Sequence, residues 1–423
     1  MGSLQDDILG DNMTIKLSDD LVWRGQIKDR TFDDITLLDD PKTFYLGVDC
    51  ASSDSMTIGN LALFMLARRL LDYGWKTILL VGGATSLIGD PGGKDEERQL
   101  KSREQIQANV NGIKSQVEQL FAGQDFTLVD NYDWLKDVGY IEFLRDVGKH
   151  YSMTELMQRD YIASRIGEGG TGISYAEFSY SLLQGYDFWH LYKELGVVLQ
   201  IGGSDQWGNI LSGVPLIRKK ENAEVNGLSA PLVIDKTTGR KFGKSEAGAI
   251  WLDSSKTSVY SFYQFWLNTD DDGVRDYIKI YTLLPKETIE HILSDFDTNP
   301  GARLAQKTLA YEVTKIVHGE ERADAAKQAT NALFGDGAFL ELEQDSLEVL
   351  RSELGAYKSG DDLTQTLVDA GLASSKTEAA RFIGSGAVSV NGQKIDSDNI
   401  TCLVNGANLL KRGKNSFVIV EHT

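Results

Sequence analysis

Cysteine is almost absent from this 423-residue chain, Cys50 and Cys402 being the two present. Two thiols build neither a disulfide framework nor a zinc site, and they point to a reducing compartment. Long hydrophobic runs are missing too, none reaching the ~18 residues of a membrane span. Basic residues are lacking from Met1 to Asn12, where Asp6, Asp7 and Asp11 stand, so the stretch reads as neither a secretory nor a mitochondrial leader. Asp6 also fills the Ser/Thr position of a myristoylation motif, which excludes that anchor. A cytoplasmic protein with no membrane partner is the expectation. Positive charge is short overall, with 43 Lys+Arg against 62 Asp+Glu and a net charge of −19, which argues against a non-specific coat on nucleic acid. What the chain does have is the balance of a folded protein, 41% hydrophobic and 25% charged. Its length allows two or three domains at roughly 150 residues each.

The first half alternates short apolar runs with helical stretches. Thr43 to Asp49 reads as a strand ending in a polar loop, Asn60 to Tyr73 as a helix and Thr77 to Gly82 as the next strand, together a βαβ unit. Such units favour a parallel sheet with ligands at the carboxyl ends of its strands. Val197 to Gly202 supplies a further strand, and Ser174 to Leu195 is helical in period. Beyond about Ser254 the pattern turns helical, at 258–268, 274–283, 285–293 and 302–318. Gly335 to Gly360 mixes glycine with acidic residues and reads as a linker with one helix. From Leu363 two short helices precede a hairpin over 388–395 with Asn391-Gly392 at its turn, and strands at 409–414 and 416–420 follow. The expected architecture is α/β. A Rossmann-like parallel-sheet domain covers 1–253, a helical domain 254–334, a linker 335–360 and a small α+β domain 361–423.

Several stretches carry candidate chemistry. Asp49 to Asn60 is a small-polar loop leading into a helix, with Thr57-Ile58-Gly59-Asn60 at the junction. A helix start offers unpaired N–H groups and a positive dipole end suited to phosphate, and Gly59 lets a nucleotide approach the backbone. Alone, the stretch reads first as an ordinary N-cap. Val81 to Lys94 is glycine-rich but is no Walker A loop, since Ile88 takes the first glycine's place and Asp95 that of Ser/Thr. Asp90 and Lys94 inside it favour a ligand site over simple chain turns. Lys241-Phe-Gly-Lys-Ser245 sets Lys241 and Lys244 three apart, either as solvated surface or as a cationic clamp on a developing pyrophosphate. Tyr180, Gln184 and Asp187 fall at i, i+4 and i+7 and project from one helical face. Three polar groups there make either a buried hydrogen-bond network or a pocket for a small polar ligand.

Together these stretches resemble the class I aminoacyl-tRNA synthetases, and closely the bacterial-type tyrosyl-tRNA synthetase family. The match rests on Val81 to Lys94, Asn131-Tyr-Asp-Trp134, Ile173 to Asp187 and Leu199 to Asn209, with Lys241 to Ser245 where the family has its KMSKS loop. It runs from about Leu21 to the C-terminus, and the tail looks like a small RNA-binding fold shared with a ribosomal protein. The resemblance implies a tyrosine–tRNA ligase, taking ATP with Mg2+ as substrate, forming tyrosyl-adenylate from L-tyrosine and charging tRNA(Tyr) as a homodimer. It implies that Asp187 and Tyr45 hold the substrate phenol, that Tyr180, Gln184 and Asp90 hold its ammonium, and that Gln206 lies near its carboxylate. Asn131 would support them from behind. Gly47, Gly59 and Gly203 would pack on the nucleotide, with Asp49 near the α-phosphate and Asp205 on the ribose 2′-hydroxyl. Lys94, Lys241 and Lys244 would stabilise the leaving pyrophosphate, and no resident metal or tightly bound cofactor is implied. Lys376, Arg381, Lys411 and Arg412 are the candidate tRNA contacts, in a tail with six basic and seven acidic residues from Asp361 to Thr423.

One motif departs. The family's HIGH sequence carries two histidines, whereas this chain reads Thr57-Ile58-Gly59-Asn60 and its five histidines, His150, His190, His291, His318 and His422, lie elsewhere. Thr57 and Asn60 are expected to donate hydrogen bonds in their place, without their charge. A lost neutral donor costs about 0.5–1.5 kcal/mol, which an enzyme survives. The departure opens a second reading, a paralogue that binds tyrosine or RNA without activating it. A third, a nucleotidyltransferase with the same nucleotide loop, leaves Tyr180, Gln184, Asp187 and the RNA-binding tail unexplained.

Overall fold

The computed structural model describes residues 15–91, 101–167, 169–236, 239, 242, 244–245, 248–334, 339–359, 362–395, 403–413 and 416–422, the side chains of 160, 161, 244 and 245 excepted. The chain divides into two compact units, one from Met1–Lys256 and Asp270–Ala305, the other from Thr257–Thr269 and Gln306–Thr423.

The first unit is built on a six-stranded sheet of β1 (Asp29–Arg30), β2 (Thr43–Val48), β3 (Lys76–Val81), β4 (Phe126–Asp130), β5 (Leu199–Gly203) and β6 (Asn226–Ala230). The order is β1-β6-β5-β2-β3-β4, all parallel except β1, which runs antiparallel to β6. The Rossmann-like sheet expected from the βαβ pattern is present. Ile78, Leu79, Leu80 and Val81 are all buried, as strands covered on both faces require. From β2 the chain moves outward through β3 to β4, then returns to the other side of β2 for β5 and β6. That reversal opens a crevice at the carboxyl ends of β2 and β5. A two-stranded hairpin of β7 (Lys244–Ser245) and β8 (Gly248–Ala249) lies outside this sheet.

Five helices of this unit bear on the crevice: α1 (Ile58–Asp72), α2 (Arg103–Leu120), α3 (Tyr175–Leu195), α4 (Trp207–Glu221) and α5 (Asp271–Tyr281). α3 begins where Ser174 Oγ accepts the Glu177 N–H at 3.3 Å, and it ends at Gly196 in the left-handed conformation, φ 67°. α3 and α4 pack at glycine. A Cβ on Gly213 would stand 2.6 Å from Phe188 Cδ1, and one on Gly185 3.2 Å from Ser212. The open carbonyls at the end of α5 and in the turn after it are met by two buried arginines. Arg24 donates to the carbonyls of Lys279 and Leu284, each at 2.8 Å, and Arg69 to those of Lys279 at 2.9 Å and Ile280 at 3.1 Å. These contacts tie α5 to the parallel-sheet unit. The helices of 254–334 thus divide, with 271–281 and 286–298 in the first unit and 259–267 and 320–334 in the second.

The second unit holds a five-stranded sheet ordered β11-β10-β12-β13-β9, from β9 (Ala356–Lys358), β10 (Val388–Val390), β11 (Gln393–Lys394), β12 (Gly406–Arg412) and β13 (Ser416–His422). Asn391 and Gly392 take φ of 49° and 82°, the type I′ turn their sequence demands. Neighbouring residues of a strand face opposite ways, and here both faces are covered. Leu410, Val418 and Val420 pack with Leu363, Leu367 and Ile383, while Leu409 and Ile419 pack with Ala329, Leu333 and Leu350. The stretch read as a linker supplies a helix, Gln344–Leu354, and the edge strand β9, parallel to β13.

Candidate active site

The crevice between β2 and β5 opens into a cavity of about 670 Å3. Tyr45 on β2 and Asp187 on α3 line it and are 1% and 2% exposed. The Asp187 carboxylate accepts from Asn131 Nδ2 at 2.9 Å and from Trp134 Nε1 at 2.8 Å. Asn131 is itself fixed, accepting from the Ala84 N–H at 2.8 Å and donating to Thr85 Oγ1 at 2.9 Å. Trp134 stacks on His190 with ring centroids 4.4 Å apart. Burial pushes the Asp187 carboxyl up to about 7, against the pull of its two hydrogen bonds. The buried Tyr45 hydroxyl finds no hydrogen-bond partner among the described residues. Burial, then the neighbouring Asp187, drives its pKa well above the ordinary value. A carboxylate acceptor beside an unpaired hydroxyl donor is the complement of another hydroxyl.

Nearer the middle, Tyr180 is buried, hydrogen-bonded to Thr85 and close to Asp90 and Asp49. Gln184 lines the same side. Asp90 accepts from Gln206 Nε2 and, at 3.3 Å, from Asn209 Nδ2, which also donates to Gln206 Oε1 at 3.0 Å. Gln200 Oε1 and Asn209 Oδ1 are buried without partners among the described residues. Carboxylates and carbonyl oxygens converging in this way suit an ammonium group.

The remaining side is built for a larger polar ligand. Asp49 Oδ1 accepts from the Ala51 N–H and Ser86 Oγ, each at 2.9 Å, and Ser86 Oγ accepts from the Cys50 N–H at 2.8 Å. A Cβ on Gly47 or Gly59 would meet nothing nearer than 3.7 or 3.5 Å. These are ordinary contact distances, so the fold itself does not require glycine at either position. Gly203 differs, since a Cβ would stand 2.6 Å from Asp205 Oδ1. Asn60 Oδ1 accepts both the Thr57 N–H at 3.0 Å and the Thr57 hydroxyl at 3.1 Å. The Thr57 hydroxyl is thereby committed to the start of α1, which leaves Asn60 Nδ2 as the donor of the pair.

The segment after the lysine loop docks on the same helix start. Trp251 bridges to Thr57, the Ile58 N–H donates to the Ile250 carbonyl at 3.1 Å, and the Leu252 N–H donates to that of Met56 at 2.9 Å. Phe242 lines the cavity and stacks on Tyr277, centroids 4.1 Å apart. Lys94 and Lys241 lie outside the described residues, as does the Lys244 side chain; the Lys244 backbone pairs with Ala249.

Tyr45, Gly47, Asp49, Thr57, Gly59, Asn60, Asp90, Tyr180, Gln184, Asp187, Gly203, Asp205 and Gln206 thus share one cavity. Lys376, Arg381, Lys411 and Arg412 belong to the second unit. There Arg381 and Arg412 both lie over Phe382, at 5.4 and 5.1 Å, and Lys376 pairs with Asp362 at 2.7 Å. Lys411 is on the opposite side of the strand, over Phe417 at 4.9 Å. Sequence reasoning missed Thr85, Ser86, Gln200, Asn209 and Phe242 as parts of the site. The signal for Gln200 was present, a lone amide within the apolar run Val197 to Ile201.

Comparison with known proteins agrees with this geometry. The family described as tRNA synthetases class I (W and Y) matches residues 38–335, and the tyrosine–tRNA ligase SYY-like C-terminal domain matches 341–420. Tyrosine–tRNA ligase 2 of Bacillus anthracis is 42% identical, covering 96% of this chain and 100% of its own. Tyrosine–tRNA ligase of Listeria monocytogenes serotype 4a is also 42% identical, with the same coverage. The crystal structure of a C-terminally truncated Aspergillus nidulans mitochondrial tyrosyl-tRNA synthetase superposes with a TM-score of 0.68 at 32% identity, covering 75% of this chain and 94% of that one.

Proposed function

The chain belongs to the class I aminoacyl-tRNA synthetases, in the tyrosyl-tRNA synthetase family, and from that premise we propose how its cavity serves as a tyrosine–tRNA ligase. L-tyrosine enters with its phenol at the deep end, donating to Asp187 and accepting from Tyr45. Its ammonium meets Asp90, Tyr180 and Gln184, and its carboxylate turns past Gln206 toward the nucleotide. ATP lies over Gly47, Gly59 and Gly203, its ribose on Asp205 and its α-phosphate near Asp49 and the start of α1. Mg2+ arrives with ATP as the substrate complex.

Activation needs no general base, because the carboxylate is already an anion. Its oxygen forms a bond to the α-phosphorus while the bond to pyrophosphate breaks. The protein's work is alignment and compensation of the charge that gathers on phosphorus and leaving group. Lys94, Lys241 and Lys244 are the groups we assign to that charge, with Asn60 Nδ2 and the positive dipole end of α1 beside them. The ribose hydroxyl at the 3′ end of tRNA(Tyr) then attacks the tyrosyl carbonyl and AMP leaves. Arg381 and Arg412 are the pair in the second unit that we assign to phosphate contact. A homodimer is supported by exposed Tyr140 and Tyr175, hydrogen-bonded to each other, with Ile141 exposed next to Tyr140 in the chain.

The observation that carries this reading is the unpaired Tyr45 hydroxyl beside a buried carboxylate held by two donors. Tyrosine-dependent ATP–pyrophosphate exchange tests it. The wild type should exchange with tyrosine and not with phenylalanine, and Asp187→Ala should lose the exchange or the preference. An absence of exchange with every amino acid would leave the binding paralogue as the better account of the missing histidines.

A further inference from the structure

Helix α2 carries none of the assigned ligand contacts, yet one of its faces grips the loop on which the nucleotide rests. Asn109, Gly112, Ile113 and Gln116 recur at i, i+3, i+4 and i+7 and share that face. Asn109 Nδ2 donates to the Cys50 carbonyl at 2.7 Å. Gln116 Oε1 accepts from the Met56 N–H at 2.8 Å, and its Nε2 donates to Ser55 Oγ at 2.8 Å. Between these two anchors, helix and loop backbones touch, since a Cβ on Gly112 would stand 2.3 Å from the Asp54 carbonyl oxygen. Ile113 is buried and reaches the cavity itself. The anchored residues are the ones that matter for placement. Cys50 follows Asp49, and Met56 precedes Thr57, the N-cap of α1.

We infer that this face of α2 is a positioning surface that sets the affinity for ATP, with Gln116 and Gly112 its decisive residues. The physical reason lies in the missing histidines. Fixed backbone dipoles and one side-chain amide must do what two imidazoles do elsewhere, and oriented dipoles act only when held in register with the phosphates. The loop's buried Cys50 and Met56 are pinned at their backbones by α2, so the register of the polar stretch between them depends on Asn109, Gly112 and Gln116. The inference rests on the reading that ATP lies against this loop, and its test separates the two.

Gln116→Leu keeps the side chain's bulk and removes both hydrogen bonds, while Gly112→Ala drives the loop off the helix. In pyrophosphate exchange each should raise the KM for ATP by about tenfold or more and leave the KM for tyrosine within about twofold. Asp205→Ala reports on the ATP reading itself. If it raises the ATP KM while Gln116→Leu, folded by its melting curve, does not, the role of α2 falls and the ATP reading stands. If Asp205→Ala and Gln116→Leu both leave the ATP KM unchanged, the ATP reading fails and the inference with it. A parallel rise in both substrates' KM would make α2 a general structural support and overturn the inference. Should Gly112→Ala fail to fold, Gln116→Leu alone decides.

Discussion

Replacing Asp187 by asparagine should trade function for stability, by an amount that pH sets. The carboxyl stands at about 7 in the fold, against 3.8 for an ordinary aspartate, because burial outweighs the bonds from Asn131 and Trp134. Between those values the folded state keeps a proton that the unfolded chain has released. Stability from this group is therefore complete below about pH 4 and drains away as pH rises to about 7, at about 1.4 kcal/mol per pH unit. Asparagine has no charge to bury and escapes the drain, although one of its amide N–H groups must face the donors of Asn131 or Trp134, at about 1–3 kcal/mol. Urea unfolding followed by tryptophan fluorescence measures both proteins from pH 5 to 8. Subtracting one from the other cancels the remaining titrating groups. The wild type's stability relative to Asp187→Asn should fall by roughly 2–3 kcal/mol across that range, while the variant loses tyrosine-dependent exchange. A difference flat to within about 0.5 kcal/mol would refute the burial argument. Tyrosine adds its own sign: a phenol donating to the carboxylate favours the ionised form, so its Kd should tighten from pH 6 to 8 in the wild type and not in the variant.

Tyr45→Phe removes a hydroxyl that no described residue satisfies, so the melting temperature should hold or rise, while preference for tyrosine over phenylalanine in kcat/KM falls about tenfold. A clear loss of melting temperature would mean that the hydroxyl has a partner in the free protein. Gly59→Ala has ordinary contact distances inside the protein, 3.5 Å at the nearest, and should stabilise by a few tenths to about 1 kcal/mol, yet raise the KM for ATP. Unchanged ATP kinetics would remove Gly59 from the nucleotide path. Lys244→Ala should slow adenylate formation in single turnovers and leave tyrosine binding, followed by fluorescence, within about twofold; a large loss of tyrosine affinity would contradict the pyrophosphate role.

Much of the site was legible because its residues sit in local patterns. Ser174 ahead of a 3.6-residue period announces the helix that carries Tyr180, Gln184 and Asp187, and Thr43 to Asp49 announces the strand that carries Tyr45. Strands without side-chain signal were not legible. Asn226 to Ala230 reads Asn-Gly-Leu-Ser-Ala and pairs only because β5 offers an open edge beside it. Ala356 to Lys358 is three exposed residues amid acidic and glycine-rich sequence, and it becomes a strand by lying along β13.

By itself the sequence determined which faces are apolar, where helices begin and end, and which polar residues interrupt them, because these depend on neighbours within a few positions. Only the tertiary structure decided that Asn131 and Trp134 hold Asp187 from more than 50 residues away. It likewise decided that Thr57 spends its hydroxyl on Asn60, and that α2 grips the loop ahead of α1. Those outcomes are set by which backbone surfaces come within a hydrogen bond's reach, and no local period encodes that distance.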